Sequence, residues 1–351
     1  MKKVKILVTG IGGGGHGEQI LKALLMSSLN FQIVGADMTV YSKSRSLVKE
    51  FFVLPPASDD NYINVLISEC ISRGIQVLFH GSEPELKKMS IHRKKITEAG
   101  IFLPINSETV IETCMDKYKT IEFLRNNNFC FPESYKITSM QDVELVDRFP
   151  VVLKPSIGGG GSANTMIAQS KEELIVFTKY LFNTYNEFIA QEYVGTPYSE
   201  FTVGVLHDME GKLINSIAVK RMILSSLGNR IKIKNMSGNS SLGDMLVISS
   251  GISQGEIGKY IEVTSQCEEI ASKLKSKGPI NIQCRYVNDK VYVFEINPRY
   301  SGTSSMRALV GMNEPELMIK HHFLKEPISR NFPFKEGYVL RGLEESYIPY
   351  L

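Results

Sequence analysis

The chain has 351 residues, 43% of them hydrophobic, and a formal net charge of +3. This length suits two or three subdomains around one cleft, and the small net charge argues against a nucleic-acid-binding surface. Five scattered cysteines without a CxxC pair favour reduced thiols over disulfides or zinc ligands. No apolar run is long enough for a signal peptide or a membrane-spanning helix, so a cytoplasmic protein is predicted.

The first hundred residues alternate between strand and helix patterns, which predicts a parallel sheet with crossover helices. A helical pattern at Tyr62–Ser72 lies between two of the strands. We expect this Rossmann-like domain to cover residues 1–112. Its predicted strands are Val4–Val8, Phe31–Gly35, Phe51–Leu54, Val77–Phe79 and Ile101–Leu103.

A glycine run, Gly10–Gly15, directly follows the first predicted strand and satisfies GxGxxG. Asp37 ends the second strand, where a dinucleotide-binding fold places the acid that binds the ribose. The pattern is therefore compatible with NAD(P) binding. The alternative is that the turn needs glycines only to let the helix approach the sheet closely.

The pattern changes at residue 113, and residues 113–190 predict a small α+β lobe. Asp116 is placed to cap a helix. The short strand Val151–Leu153 delivers Lys154 into a glycine-rich loop, and a helix is predicted at Lys171–Tyr185.

That second loop contains Gly158, Gly159, Gly160 and Gly161 but lacks the Gly-Lys-Ser/Thr ending of a P-loop. Glycine-rich backbone presents N–H groups to phosphate oxygens and can close over them as a lid. Four ordered glycines cost considerable chain entropy, which a plain surface hairpin would not require. Phosphate contact is therefore favoured over a hairpin.

Strands dominate from Phe188–Tyr193 to about residue 325, interrupted by a helical pattern at Ile261–Lys275. We assign residues 191–330 to a larger lobe and 331–351 to a tail with a last strand in Tyr338–Ile348. The larger lobe has two hairpin-turn signals, Asp208–Gly211 and Asn288–Asp289. Its Ser301–Ser305 segment predicts either a helix start facing an anionic substrate or a plain serine-rich cap.

The strongest chemical signal lies in two late strands, the second at Val291–Asn297. Alternation predicts Val291, Val293, Glu295 and Asn297 on one face, with Gln283 of the preceding strand beside them. Carboxylate and amide oxygens suit Mg²⁺, and Arg299 can direct its guanidinium at a phosphoryl group. A structural Glu–Arg pair is the alternative, although burying a carboxylate among valines without a cation is costly.

These motifs together resemble the ATP-grasp superfamily, in particular one synthetase unit of the carbamoyl-phosphate synthase large chain and stand-alone carboxylate–amine ligases. The order of the Glu-x-Asn-Pro-Arg motif is the specific part of the resemblance, which covers nearly the whole chain. The matching segments are Lys154-Pro155 with its glycine loop, Gln191-Glu192-Tyr193-Val194, Glu200, Asn281 to Gln283, and Glu295 to Arg299.

The resemblance implies an α/β chain in which a Rossmann-like pre-ATP-grasp domain precedes a two-lobed ATP-grasp fold. It also implies a role for each matching position. The phosphate-binding residues are Lys117, Lys154 and Gly158–Gly161, the adenine-binding hinge is Gln191, Glu192, Tyr193 and Val194, and Glu200 is the ribose-binding acid. The metal ligands are Gln283, Glu295 and Asn297. The catalytic cations are Arg299, Lys154 and Arg221, the last of which follows Lys220 in the chain.

The function implied is an ATP- and Mg²⁺-dependent ligase, with Mn²⁺ as a substitute metal, that joins a small carboxylate (or carbonate-like) substrate to an amine through an acyl phosphate. A homodimer is expected, without nucleic-acid or membrane partners. Carbamoyl-phosphate synthase carries two such units, and this chain has one. An NAD(P)-dependent oxidoreductase and a non-catalytic ATP-binding module are the alternatives.

Overall fold

A computed structural model describes residues 3–158 and 164–343, and its strands form four sheets. The predicted glycines Gly159, Gly160 and Gly161 and the tail from residue 344 lie outside the described residues. None of the described helices is both long and apolar enough to cross a bilayer.

The first sheet is parallel, with the strand order β3-β2-β1-β4. Its strands and the helices around it are β1 (Val4–Val8), α1 (His16–Leu25), β2 (Phe31–Asp37), β3 (Glu50–Val53), α2 (Tyr62–Ser72), β4 (Val77–Phe79), α3 (Glu83–Ile91) and α4 (Arg93–Glu98). Four of the predicted strands are thus confirmed to within two residues. The fifth, Ile101–Leu103, is wrong, because Phe102 makes only an isolated bridge to Val77.

The second sheet is antiparallel, in the order β5-β8-β6-β7. Asp116 caps α6 as predicted, since its Oδ1 accepts hydrogen bonds from the N–H groups of Tyr118 and Lys119. The predicted helix to Tyr185 ends earlier, at Leu181. The elements are α5 (Glu108–Met115), α6 (Lys117–Asn126), β5 (Ser134–Ile137), β6 (Val151–Pro155), β7 (Met166–Ala168), α7 (Lys171–Leu181) and β8 (Phe188–Glu192).

The largest sheet has the antiparallel order β15-β14-β9-β10-β13-β16. Both predicted hairpin turns are confirmed, and Asn288 and Asp289 adopt the positive φ angles, 49° and 59°, that a tight hairpin requires. Its elements are β9 (Glu200–His207), β10 (Leu213–Arg221), β13 (Gly255–Gly258), α8 (Ile261–Lys273), β14 (Pro279–Val287), β15 (Lys290–Asn297) and β16 (Gly337–Val339).

Between β10 and β13, the chain forms a separate two-stranded hairpin from β11 (Asn229–Lys234) and β12 (Met245–Ser249). Alternate side chains of this hairpin, such as Ile231 and Leu246, pack against Val152 and Ile167 of the second sheet. The hairpin therefore leans across the cleft between the two antiparallel sheets.

The chain then forms two short helices, α9 (Ser304–Leu309) and α10 (Glu314–Met318). Helix α9 packs against α1 of the first domain. The hydroxyls of Ser301 and Ser304 accept hydrogen bonds from nearby backbone N–H groups. The N-cap residue of this six-residue helix is Thr303, whose side chain makes no capping hydrogen bond, so the serine cap is not confirmed and the anion site stays a prediction.

Candidate active site

A cavity lies between the two antiparallel sheets. One end is polar and contains Lys117, Lys154, Gln283 and Glu295. The other end is largely apolar, with Val152, Tyr193, Val194, Val247, Ile248, Tyr292 and Phe294.

Strand β6 places Lys154 at the polar end, because Val151 and Leu153 point into the core of the small lobe while Val152 and Lys154 point into the cavity. The Lys154 Nζ donates to Gln191 Oε1 at 2.8 Å and to the Phe294 carbonyl at 3.0 Å. Burial lowers the pKa of this amine to about 7, although the charge of Glu295 opposes the shift. Both groups that accept from the Lys154 amine are neutral, so its charged form has no carboxylate in direct contact among the described residues.

Lys117 approaches the same end from the start of α6. Its Nζ donates to the Gly158 carbonyl at 3.1 Å, and its backbone N–H donates to the Ser156 carbonyl at 2.9 Å. The first turn of α6 is thereby tied to the beginning of the second glycine loop. Lys117, Lys154 and Gly158 are brought together as the sequence predicts, within the described residues.

The segment Gln191 to Val194, the predicted adenine-binding hinge, lines the cavity. The Tyr193 hydroxyl donates to the Val247 carbonyl at 3.2 Å and accepts from the Val247 N–H at 2.8 Å, which fixes the β12 strand over the apolar end. The Glu192 side chain lies 3.7 Å from Arg148, a loose and exposed ion pair.

Glu200 lines the cavity and is at the same time buried between two arginines. Its Oε1 accepts from Arg221 Nη1 at 3.0 Å, and its Oε2 accepts from Arg285 Nη2 at 3.2 Å. Burial lowers the pKa of Arg221, and the charge of Glu200 opposes that shift. A carboxylate has about four acceptor positions, so a ribose hydroxyl would have to share these oxygens with both guanidinium groups.

Arg285 was not predicted from the sequence, yet it contacts two residues of this hinge segment. Its guanidinium carbon lies 4.2 Å from the centre of the Tyr193 ring, and its Nη1 donates to the Val194 carbonyl at 3.0 Å. The only sequence signal was its position two residues beyond Gln283 on the same strand face.

Strands β14 and β15 bring the three predicted metal ligands together. Gln283 lies opposite Glu295 in the strand register, and Asn281 lies opposite Asn297. The predicted alternation along β15 is nevertheless wrong. The register shifts so that Cys284 pairs with Val293, which leaves Phe294 as an extra residue, a β-bulge.

The bulge changes which side chains of β15 share a face. Val291 and Val293 pack in the hydrophobic core with Ile296, whereas Tyr292, Phe294 and Glu295 line the cavity. Without the extra residue, Glu295 would continue the buried valine face. The strand can therefore be rich in valine and still present its carboxylate to the cleft.

The donor set at this place fits Mg²⁺, which prefers carboxylate and amide oxygens. The Asn297 Nδ2 donates to Glu295 Oε1 at 3.1 Å, so the two side chains are already adjacent. Gln283 lies across the strand pair and lines the same cavity. Gln283, Glu295 and Asn297 would hold the ion beside the Lys154 amine.

Arg299 follows Asn297 and makes an ion pair that the sequence did not predict. Its Nη2 lies 2.7 Å from Glu83 Oε1 and 3.0 Å from Asn297 Oδ1. Glu83 begins α3 of the first domain; burial raises its pKa, but Arg299 outweighs this and the net shift is downward. The first domain thus contributes a carboxylate next to the metal ligands.

A second cavity opens on the other side of the metal ligands. It shares Ser249, Gln283 and Glu295 with the first cavity and also contains Arg221 and Arg299. Lys220, the neighbour of Arg221, is exposed on the opposite face of β10 and lines neither cavity.

Two of the N-terminal glycines, Gly10 and Gly12, are closely packed, whereas a Cβ at any of Gly13–Gly15 would have no non-adjacent neighbour closer than 3.9 Å among the described residues. The Gly12 N–H donates to Asp37 Oδ2 at 2.7 Å, and a Cβ at Gly12 would lie 2.9 Å from that oxygen. A Cβ at Gly17 would lie 2.4 Å from the Gly10 carbonyl oxygen. These contacts favour the structural explanation of the glycine run over NAD(P) binding, because Asp37 is already committed to the loop.

Glu210, His321 and His322 have ligand atoms within 4.8 Å of one another, away from this cleft. His322 Nε2 already accepts the Met209 N–H at 3.0 Å, so its proton is on Nδ1, which faces Glu210 at 3.8 Å. The Nε2 atom of His322 thus already has a hydrogen-bond partner.

Two family models match separate parts of the chain. Residues 249–345 match a model described as ATP-grasp in the biosynthetic pathway with Ter operon, and residues 6–104 match the PylC-like N-terminal domain. The first match contains the predicted metal ligands, and the second covers the parallel sheet.

The chain is 28% identical over 228 residues to the carbamoyl phosphate synthase large chain of Thermoplasma volcanium, which covers 63% of this chain and 20% of that protein. It is 30% identical over 111 residues to D-alanine–D-alanine ligase A of Bacillus cereus, covering 30% and 35% of the two chains. The chain therefore spans about a fifth of the synthase that it matches.

The N5-carboxyaminoimidazole synthetase of Staphylococcus aureus, solved with ADP, has the same fold, with a TM-score of 0.65. The match covers 95% of this chain and 79% of that one, at 14% identity. These findings confirm the predicted α/β ATP-grasp fold, and residues 249–345 match an ATP-grasp family model.

Proposed function

We propose that this protein is an ATP- and Mg²⁺-dependent ligase that activates a carboxylate as an acyl phosphate and passes it to an amine. The observation that carries the proposal is that two cavities of different character meet at Gln283 and Glu295. One cavity is half apolar and suits a nucleoside, and the other is polar. A nucleotide and an acid bound there would approach each other at the metal ligands.

Each residue of the junction has a role in this proposal. Lys154 and Lys117 bind the phosphates of ATP, and Mg²⁺, held by Gln283, Glu295 and Asn297, neutralises charge on the triphosphate. A carboxylate oxygen attacks the γ-phosphorus, the bond to the β-phosphate oxygen breaks, and ADP leaves. Arg299 stabilises the negative charge that develops on the transferred group.

The second step joins the amine to the activated acid. The amine nitrogen attacks the carbonyl carbon of the acyl phosphate, inorganic phosphate leaves, and the amine loses a proton. An acyl phosphate is sensitive to water, which gives the second glycine loop, beginning at Gly158, a reason to close over the site. The homodimer, the cytoplasmic location and the use of Mn²⁺ stay predictions.

A coupled assay for ADP release, run with Mg²⁺ over pools of carboxylates and amines, tests the proposal. We expect release that depends on both an acid and an amine, and that Glu295→Gln lowers by 100-fold or more. Glu210→Gln, which changes an exposed carboxylate in the β9–β10 turn, is the matched control.

Three results would contradict the ligase. ADP release with no dependence on acid or amine would indicate a plain ATPase. Mg·ATP binding without ADP release for every pool would favour the non-catalytic module. NAD(P) binding that survives Glu295→Gln would favour the oxidoreductase.

A further inference from the structure

The second cavity is lined by polar groups throughout. Among its described lining residues, none has an apolar side chain. Hydroxyl groups are its most frequent feature. They belong to Thr202, Ser249, Ser250, Ser253 and Ser301. The adjoining nucleotide cavity, by contrast, has eight apolar or aromatic lining residues, so the polarity is specific to the second cavity.

The cavity also offers both signs of charge. The Arg299 guanidinium and the Glu83 carboxylate both line it, 2.7 Å apart. Arg221 of β10 adds a buried cation, which is paired with Glu200. An anionic group on the ligand has a cation to pair with, and a hydroxyl or ammonium group on the same ligand has a carboxylate to donate to.

Such a lining discriminates against apolar ligands. An acid with an aliphatic or aromatic chain would displace water from the hydroxyls and charges without replacing its hydrogen bonds. Sites built to hydrogen-bond a substituent reject analogues that lack it by large factors, whereas apolar pockets discriminate weakly. Bicarbonate can pair with a cation of the cavity but has no polar side chain to bond the hydroxyl-bearing residues there.

We infer that the acid activated by this protein is a small hydroxy or amino acid with a short polar chain, bound in the second cavity. The inference rests on the proposed function, since it names the acid for that reaction. It predicts that an apolar isostere of a good substrate is a poor one.

Matched pairs of acids test the inference. Glycerate is compared with 2-methylbutanoate, and threonine with valine, because each pair differs by hydroxyl-for-methyl replacement at similar shape. Bicarbonate is a fifth probe. ADP release is measured with saturating Mg·ATP and an amine pool, and acid binding is measured by calorimetry on the complex with Mg²⁺ and a non-hydrolysable ATP analogue.

At least one polar acid is expected to bind and to react at least 10-fold better, by Kd and by kcat/KM, than its apolar partner and than bicarbonate. Ser253→Ala is expected to lower the ratio by which the polar acid is preferred over its apolar partner, and to leave the Kd of the nucleotide unchanged. Ser72→Ala, an exposed serine at the end of α2, is the control and should change neither quantity.

Equal or better binding of the apolar acids, or full activity with bicarbonate alone, would overturn the inference and leave the ligase proposal standing. Binding of the Mg²⁺–nucleotide complex without binding of any of these acids would also overturn it. Loss of Mg²⁺-dependent nucleotide binding is a separate result, because it would contradict the proposed function itself.

Discussion

At the scale of single residues, the buried amine of Lys154 links the site to pH. Its pKa is lowered to about 7 by burial, and a bound triphosphate would favour the charged form. Above pH 7 the free protein has lost this proton and the nucleotide complex keeps it. ATP binding is therefore expected to take up about 0.9 proton at pH 8, and affinity to fall about tenfold per pH unit as pH rises beyond 7.

The measurement is calorimetry of Mg·ATP binding in two buffers with different ionisation enthalpies. Lys154→Met should abolish the proton uptake, and Lys171→Met, which removes a partly exposed lysine paired with Glu144, should retain it. Proton uptake that persists in Lys154→Met would assign the titration to another group. In the free protein the same shift makes the free energy of unfolding rise between pH 7 and the usual range of lysine, because the unfolded chain binds the extra proton.

Residues in short motifs could be predicted from the sequence because spacing along one strand fixes their direction. Glu295, Asn297 and Arg299 converge for that reason. Glu83 and Arg285 were missed because their positions depend on how separate elements pack. Glu83 begins a helix in the first domain, and no local pattern places it next to Arg299.

At the scale of elements, the β-bulge at Phe294 shows where periodicity alone fails. A regular strand would place Glu295 on the face of Val291 and Val293, which is buried in the core. One extra residue reverses the alternation just before the metal ligand. A bulge has no residue signature of its own at this position, so the predicted strand is confirmed, whereas the prediction that Glu295 shares a face with Val291 and Val293 is wrong.

The β11–β12 hairpin, for which the sequence offered no motif, covers the nucleotide cavity through Tyr193. Tyr193→Phe removes the hydroxyl that bonds both backbone groups of Val247 and keeps the ring that stacks on Arg285. A loss of roughly 1 kcal/mol is expected, which corresponds to about a fivefold higher Kd for Mg·ATP. Trypsin should also cut β11 faster, at Arg230, Lys232 or Lys234.

Tyr135→Phe is the control for this change. Its hydroxyl bonds Asp147 at 2.8 Å on the surface, so the variant should keep both the nucleotide affinity and the rate of cleavage in β11. If Tyr193→Phe bound Mg·ATP as tightly as the unchanged protein, the hairpin would not depend on this hydroxyl for its position.

At the scale of the whole molecule, the order of a parallel α/β domain and two antiparallel lobes was predictable, because strand and helix patterns change along the chain. The contacts by which these parts join could not be predicted from the sequence. Contacts between them come from the packing of α9 against α1, from polar side chains in loops, such as Asn106, and from an ion pair, Arg299 with Glu83. Their partners are more than a hundred residues away, beyond any local pattern.

The side chain of Asn106 alone makes three hydrogen bonds to the larger lobe, and its removal should lower both stability and activity. Its Nδ2 donates to the carbonyls of Pro279 and Pro298, and its Oδ1 accepts the Lys277 N–H at 2.7 Å, all in a fully buried position. Asn106→Ala removes three hydrogen bonds to backbone groups, at about 1 kcal/mol each. Asn127→Ala, which removes one local bond at the end of α6, should cost about a third as much.

Because the chain contains no tryptophan, urea unfolding of both Asn106→Ala and Asn127→Ala is best followed by far-UV circular dichroism. The Pro298 carbonyl lies between Asn297 and Arg299 in the chain, so its release should also displace these two side chains. Misplacement by about 1 Å can lower kcat by up to about 100-fold. Folded Asn106→Ala, at urea concentrations too low to unfold it, should therefore have a lower kcat than the unchanged protein. The kcat of Asn127→Ala should not change. Equal kcat in the two variants would show that the joint stabilises the fold without positioning the metal and phosphate ligands.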